Sequence, residues 1–236
     1  MAVAPENTLA SFRQASDDGA DWIEFDVRLS ADGIPIIFHD DTLERTSDGV
    51  GPVAGHDLTA LRALDAGHWF SPKFEGQMVP TFHETITLCQ QLGLGMNIEI
   101  KPNPGEERTT AVAVLAMLDT RLGREELDFS RSILFSSFKI DTLETLRDDG
   151  PQWPRGLLIS EWRPDWRRQA IALGCVSLHP RNNLLDSKET VRSIKEEGLL
   201  VFPYTINDPV RAADLFDWGV DAIITDDPRL MVSEIP

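Results

Sequence analysis

The sequence has little cysteine and no long hydrophobic stretch. Its two cysteines, Cys89 and Cys175, lie far apart in apolar surroundings. Such surroundings indicate buried free thiols, with a disulfide or a catalytic thiol as the less favoured alternatives. Few cysteines and no apolar leader are typical of the reducing cytoplasm. We therefore expect a cytoplasmic protein, an expectation that an incomplete N-terminus would remove.

Basic charge is also scarce. The chain has 22 Lys and Arg residues against 39 Asp and Glu residues, a net charge of −17. It contains no basic cluster long enough to form a nucleic-acid groove, and it lacks the polybasic signature of binding to anionic membranes. We expect neither nucleic acid nor membrane as a partner, and the oligomeric state stays open. The acidic excess favours solubility.

What the sequence does contain is an alternation of strand and helix patterns. The 236 residues are 42% hydrophobic, enough for one large core. Runs of strand-forming residues predict strands at 22–29, 34–39, 95–101, 132–138, 156–160, 175–179, 199–206 and 221–225. Helical periodicity predicts helices at 6–19, 82–93, 106–121, 139–149, 165–173, 187–198 and 208–218. This alternation indicates a parallel sheet with crossover helices.

The strand count favours a barrel. Segment 34–39 follows 22–29 after only the turn SADG, so the pair predicts a hairpin excursion. Seven strands with crossover spacing remain, one fewer than in a (β/α)8 barrel, and the helix at PENTLASF follows no strand. We predict a single α/β domain, 1–236, of the (β/α)8 TIM-barrel type, with its first strand missing and an insertion at about 40–80. An open, doubly wound sheet is the alternative.

Two predicted strands carry acidic side chains on one face. Alternate residues of a strand point the same way, so Glu24 and Asp26 share one face of their strand, and Glu99 and Lys101 share one face of another. A solvated edge strand would also explain one such face, but two consecutive strands favour an active site at the carboxyl ends of a barrel. Three converging carboxylates require a counter-charge, and their oxygen ligands favour Mg²⁺ or Ca²⁺. Lys101 can then reach a phosphate group beside the metal.

Two histidines end predicted strands. His39 ends IIFH and His179 lies in SLHPRNN. Imidazole titrates near neutrality, and its place beside the carboxylates favours a catalytic proton-transfer role for His39 over a structural one. For His179, contact with substrate in the pocket and a structural role are equally supported. The three remaining histidines lie in or next to the insertion and receive no role.

An ordered set of short motifs extends over most of the chain. They are PENT, GADWIEFDVRLSADG, FHDDTLERTSDG, LDAGHWF, NIEIK, SSF, YTIN and GVDAIITDDP. Each motif alone is weak, but their order and spacing, from Pro5 to Pro228, resemble the glycerophosphodiester phosphodiesterase family. The resemblance implies a (β/α) barrel with an insertion after its second strand. It also implies Mg²⁺- or Ca²⁺-dependent hydrolysis of small glycerophosphodiesters to sn-glycerol 3-phosphate and an alcohol.

Carried over by position, the resemblance implies that a metal is held by three carboxylates, Glu24, Asp26 and Glu99. It implies that His39 is one of two catalytic histidines and that Lys101 contacts phosphate. Tyr204 occupies a position that is often tryptophan in the family, at the mouth near the glycerol. The resemblance also implies that the dipeptide Glu6-Asn7 buttresses the first loop.

One part of the family pattern does not appear in the sequence. The pattern begins with a strand ending in His-Arg-Gly, which supplies the second catalytic histidine and a phosphate-binding arginine, whereas only Met1 to Ala4 precede PENT here. Either the start is assigned too late or the strand is truly absent. We expect the chain as written to be impaired, and a catalytically degenerate relative that binds metal and phosphodiester is the alternative. Relatives acting on choline lysophospholipids or sphingomyelin are less favoured, because they are typically secreted and disulfide-bearing.

Overall fold

The computed structural model describes residues 2–122 and 133–234. Seven strands of these ranges form one sheet, and they are β1 (Trp22–Leu29), β2 (Pro35–Ile37), β3 (Gly95–Ile100), β4 (Ile133–Ser137), β5 (Arg155–Ile159), β6 (Ser177–Pro180) and β7 (Leu200–Val201). Their order in the sheet is β2-β1-β3-β4-β5-β6-β7. All neighbouring pairs are parallel except β1 and β2. This is the α/β architecture predicted for a (β/α)8-type fold.

Helices alternate with these strands. They are α1 (Leu9–Asp17), α2 (Leu58–Arg62), α3 (Phe82–Leu92), α4 (Glu107–Leu122), α5 (Ile140–Asp149), α6 (Trp166–Ala172), α7 (Lys188–Lys195), α8 (Pro209–Asp217) and α9 (Pro228–Glu234). The seven predicted helices are all confirmed, with ends within a few residues. Thr8 caps α1 through a reciprocal hydrogen-bond pair with Ser11, and Thr81 does the same for α3 with Glu84. Among the helices described, none has the length and apolar character needed to cross a membrane.

The hairpin between β1 and β2 is confirmed. The two strands are antiparallel, and their register pairs Val27 with Ile37 and Leu29 with Pro35. The turn closes when Ser30 N donates to Ile34 O at 3.0 Å. Because β2 pairs only with the last part of β1, the first part of β1 keeps one edge unpaired among the described strands, and Trp22 there is 46% exposed.

The last two predicted strands are wrong in extent. Only Leu200–Val201 of the predicted 199–206 strand is regular, because Pro203 has no N–H to continue the ladder. Residues 221–225 form no regular strand, although Asp221 N donates to Val201 O at 3.2 Å and Ile224 N donates to Pro203 O at 3.0 Å. The segment 221–225 therefore extends the sheet as an irregular neighbour of β7.

The face pattern of β1 and β3 determines where the polar groups lie. Apolar side chains at alternate positions, among them Phe25, Val27 and Ile98, are fully buried in the main hydrophobic core with the helices. The intervening residues of each strand therefore point to the opposite face, where the carboxylates converge.

The insertion between β2 and α3 has its own small core. Its residues contain α2 and two short 3₁₀ helices, Val53–Gly55 and Pro72–Phe74. Seven buried side chains pack together there, separately from the main core: Ile36, Phe38, Leu43, Val53, Leu61, Ala66 and Val79. The insertion is thus more ordered than its sequence pattern indicates.

Candidate active site

Three carboxylates converge where β1 and β3 lie side by side. The register pairs Asp26 with Glu99, and Glu24 lies two residues earlier on β1. One carboxylate oxygen from each of the three residues lies within 4.8 Å of the others. The predicted convergence of these three side chains is thereby observed, and it follows directly from parallel pairing and the two-residue period of a strand.

This acidic cluster lacks sufficient positive charge of its own. Burial raises the pKa of Glu24 well above its ordinary value, and the carboxylates of Asp26 and Glu99 raise it further. Burial, followed by the charge of Asp26, raises the pKa of Glu99 to about 8. Among the described residues, none donates a hydrogen bond to the buried Oε1 atom of Glu99. A hard divalent cation fits such a site, because it supplies positive charge and prefers carboxylate oxygens as ligands.

Lys101 lies next to the cluster, directly after β3. Its ammonium Nζ is 3.5 Å from Asp26 Oδ1 and 3.9 Å from Glu99 Oε1. The same Nζ is 2.5 Å from Nε2 of His39. The Lys101 ammonium therefore lies between the carboxylates and the imidazole. An anion that approached the acidic cluster and His39 would contact it.

His39 reaches this site from the end of the β1–β2 hairpin. Its side chain is 45% exposed, and its Nδ1 lies 2.5 Å from Oδ1 of the adjacent Asp40. Two hydrogen bonds from the buried Arg28 guanidinium, at 3.1 and 2.8 Å, hold the main-chain oxygen of His39. Both the ring and the backbone of His39 are therefore anchored beside the carboxylates.

The segment before α1 also contacts the site. Asn7 adopts a φ of 53°, a left-handed conformation that asparagine tolerates better than most residues. Its amide donates to Asp26 Oδ2 at 2.8 Å and accepts from Asp26 N at 3.2 Å. Glu6 accepts two hydrogen bonds from Arg45. The expected buttressing role of Glu6 and Asn7 agrees with these contacts, and Asn7 additionally orients a carboxylate of the cluster.

These groups line a cavity of about 1300 Å³. It extends between β1 and the irregular segment 221–225, and its lining includes His39, Lys101 and the three carboxylates. Tyr204 lines it as well, packed edge-to-face on Phe138 with ring centroids 5.9 Å apart. The Tyr204 hydroxyl donates to Ile159 O at 3.1 Å, and burial raises its pKa to about 12. Tyr204 thus contributes a neutral aromatic wall.

His179 does not join this group. Its ring is fully buried, it is not part of the cavity lining, and it packs on Phe202 with ring centroids 5.2 Å apart. Nε2 of His179 lies 2.9 Å from the Ser177 hydroxyl. Burial lowers the pKa of the ring to about 3. The geometry favours the structural alternative for His179 over a direct contact with substrate.

Sequence reasoning missed two members of the site, Asp40 and Arg45. Arg45 donates to both oxygens of Asp40, from Nε at 2.6 Å and from Nη2 at 2.8 Å. Asp40 follows His39 directly, so adjacency is a usable signal for that residue. Arg45 lies in the insertion, where neither strand nor helix periodicity indicates the direction of a side chain.

The fold and this site together define a barrel-type protein with an acidic cluster that could hold a metal ion, a lysine and an imidazole in one cavity. A family model, the glycerophosphoryl diester phosphodiesterase family, matches residues 2–230. The chain belongs to this family.

Individual relatives agree with the family match. The glycerophosphodiester phosphodiesterase of Caldanaerobacter subterraneus subsp. tengcongensis is 34% identical over 97% of this chain and 91% of its own length. A solved phosphodiesterase from Oleispira antarctica, in complex with the product sn-glycerol-3-phosphate, is 38% identical, with a TM-score of 0.92 over 98% of this chain and 92% of that one. The glycerophosphodiester phosphodiesterase of Agrobacterium tumefaciens is 27% identical, with a TM-score of 0.80 over 98% of this chain and 94% of that one.

Proposed function

We propose that this chain hydrolyses glycerophosphodiesters to sn-glycerol 3-phosphate and an alcohol, using a divalent metal. The observation that carries the proposal is the convergence of Glu24, Asp26 and Glu99 within 4.8 Å, beside the paired side chains of Lys101 and His39. Membership of the family and the product seen in the Oleispira relative support it.

The three carboxylates would hold Mg²⁺ or Ca²⁺, since both cations prefer oxygen ligands. The bound cation supplies Lewis-acid chemistry, which makes the phosphorus more electrophilic. Asn7 fixes the orientation of Asp26 through its two hydrogen bonds, so one ligand is already positioned without metal. Lys101 would bind a non-bridging phosphate oxygen, because its Nζ lies next to the cluster and donates only.

His39 would transfer the proton at its Nε2 atom. In hydrolysis a bond forms between phosphorus and an oxygen of water, and the bond between phosphorus and the alcohol oxygen breaks. The attacking oxygen loses a proton and the departing alkoxide gains one, so a group that titrates near neutrality accelerates either transfer. Tyr204 and Phe138 would contact the carbon skeleton of the substrate, leaving ample volume for the alcohol.

A second candidate is a degenerate relative that binds metal and phosphodiester without turnover. One observation favours it. Among the described residues, a single histidine, His39, lines the cavity, whereas the hydrolysis involves two proton transfers. Both candidates predict metal binding, so only turnover separates them.

The test is release of sn-glycerol 3-phosphate from glycerophosphocholine, measured with Mg²⁺, with Ca²⁺ and with EDTA. We expect metal-dependent release that EDTA abolishes, and we expect Glu99→Gln to weaken metal affinity in calorimetry and to lower turnover together. Glu196→Gln is the matched control, because Glu196 lies on the surface after α7 and pairs with Arg192 at 3.0 Å. Tight metal binding without release from any glycerophosphodiester would favour the degenerate relative.

A further inference from the structure

The insertion contributes two charged side chains, Arg45 and Asp40, which are hydrogen-bonded in series to His39. We propose that Arg45 and Asp40 are positioning residues, which act with Lys101 to hold His39 as the Nδ1–H tautomer, so that Nε2 stays unprotonated beside the acidic cluster. The catalytic consequence rests on the proposed function, whereas the tautomer itself does not.

The tautomer follows from the partners of the two ring nitrogens. Lys101 Nζ, 2.5 Å from Nε2, is an ammonium group that can only donate, so Nε2 of the neutral ring accepts. Nδ1 must then carry the hydrogen, and it donates to Asp40 Oδ1 at 2.5 Å. An ionised carboxylate accepts this hydrogen more strongly than a protonated one, because charge-assisted hydrogen bonds are the stronger ones. Asp40 at Nδ1 and Lys101 at Nε2 therefore favour the same tautomer, and the orientation of Asp40 determines whether Nδ1 keeps its acceptor.

Arg45 secures both properties of Asp40. One guanidinium makes two paired contacts: Nε and Nη2 hold the Asp40 carboxylate at 2.6 and 2.8 Å, and Nη1 and Nη2 hold the Glu6 carboxylate at 2.7 and 2.6 Å. Bidentate pairs of this kind fix geometry as well as charge. Hydrogen bonds from Arg45, followed by that from His39, hold the pKa of Asp40 well below its ordinary value.

Glu6, which lies outside the insertion, binds the other side of the Arg45 guanidinium. It precedes Asn7, which contacts the carboxylate of Asp26, so one dipeptide connects the imidazole and the acidic cluster. The charged groups that face the His39 ring are Asp40, Lys101 and Arg45, whose Nη2 lies 3.5 Å from Nδ1. Asp40 at Nδ1 and Lys101 at Nε2 favour Nδ1–H. Arg45 Nη2 can only donate and opposes a hydrogen on Nδ1, but its 3.5 Å contact is much longer than the 2.5 Å contact of Asp40 Oδ1, which therefore prevails.

The experiment is ¹⁵N NMR of the Mg²⁺-loaded protein with labelled histidine, which distinguishes protonated from unprotonated ring nitrogens. His39→Gln identifies the His39 signals by their loss. The test variants are Asp40→Asn, Arg45→Met and Glu6→Gln. Arg192→Met is the control, because Arg192 also pairs with a carboxylate, that of Glu196, on the exposed surface of α7.

We expect His39 in the parent protein to carry its hydrogen on Nδ1. Asp40→Asn should move it toward Nε2–H most strongly, since one amide oxygen cannot accept from His39 and from both Arg45 donors. Arg45→Met should move it less, Glu6→Gln least, and Arg192→Met not at all. Turnover should fall about 10- to 100-fold for Asp40→Asn and Arg45→Met, the usual cost of losing a group that orients a site residue, with Mg²⁺ affinity unchanged.

An Nε2–H tautomer in the parent protein, or an Arg45→Met protein with the parent spectrum, would overturn the proposal. Asp40→Asn is nearly isosteric and keeps the proposal falsifiable if Arg45→Met does not fold. If the spectra shift as expected but no variant or parent protein releases sn-glycerol 3-phosphate, the proposed function fails while the positioning of His39 stands.

Discussion

Two histidines lie at comparable places in the sheet, His39 just after β2 and His179 in β6, yet their surroundings are opposite. The ring of His39 is nearly half exposed and touches three charged side chains. That of His179 is fully buried between a serine hydroxyl and a phenylalanine ring. The end of a strand is therefore not sufficient to predict a catalytic histidine; charged partners and access to a cavity are also required.

One part of the sheet carries the charged groups of the candidate site, and another part carries a buried imidazole that packs in the interior. Around β1, β2 and β3 the acidic side chains converge, and nearby positive charge does not fully balance their negative charge. This lowers the stability of the fold, but it favours the binding of a cation. Around β5 and β6 the one buried imidazole is neutral and contributes to packing. Each of the following predictions tests one side of this division.

The largest expected effect is on activity. His39→Gln should lower kcat/KM for glycerophosphocholine by about 10²–10⁴, the usual contribution of a general acid or base. His179→Gln should remain within a few-fold of the parent, because its ring does not line the cavity. Initial rates of product release at saturating Mg²⁺ measure both. An equal loss for a folded His179→Gln protein would place His179 in the reaction.

Stability should respond in the reverse order. His179→Ala removes a fully buried ring and leaves the Ser177 hydroxyl without this partner, so the free energy of unfolding should fall by about 1–3 kcal/mol. His39→Ala should change it by less than about 0.5 kcal/mol, as expected for an exposed side chain. Urea unfolding followed by circular dichroism gives both values. A larger loss for His39→Ala would reverse the comparison.

The packing around His179 can be tested from the neighbouring strand, β5. A Cβ atom at Gly156 of β5 would lie 2.4 Å from Nε2 of His179 and 2.5 Å from Oγ of Ser177. Gly156→Ala should therefore destabilise the fold by about 1–3 kcal/mol through overpacking. Gly55→Ala is the control, since its nearest contact would be 3.5 Å from Pro52 Cγ. Equal urea midpoints for the two variants would mean that β5 and β6 move apart to accommodate the added methyl group at little cost in stability.

A further expected effect is a pH slope. Burial lowers the pKa of His179 to about 3 from 6.5, so between these values the unfolded chain binds a proton that the folded chain does not. Stability from this group is complete above pH 6.5 and is lost as the pH falls toward 3, at up to about 1.4 kcal/mol per pH unit. Urea midpoints between pH 7 and 5 should fall less in His179→Gln than in the parent. Parallel curves would contradict a neutral buried ring.

Much of the fold and most of the site were predictable from the sequence, whereas Asp40 and Arg45 were not. The two-residue period places Glu24, Asp26 and Glu99 together, and it requires only parallel pairing of β1 with β3. Pro203 explains why the predicted strand 199–206 stops at Val201. Local periodicity contains no information on the contact between Glu6 and Arg45, which are 39 residues apart, because an irregular segment determines it.

The separate small core of the insertion between β2 and α3 has a consequence for substitutions. Five of its side chains pack with Ile36 of β2 and with Phe38 in a cluster distinct from the main core, while Asp40 and Arg45 belong to the site. We expect substitutions in this cluster to leave the main core packed as it is, provided that Asp40 and Arg45 keep their places. The carboxylates depend on the sheet alone, and among the described residues of 40–80 it is Arg45 through which the insertion reaches the cavity.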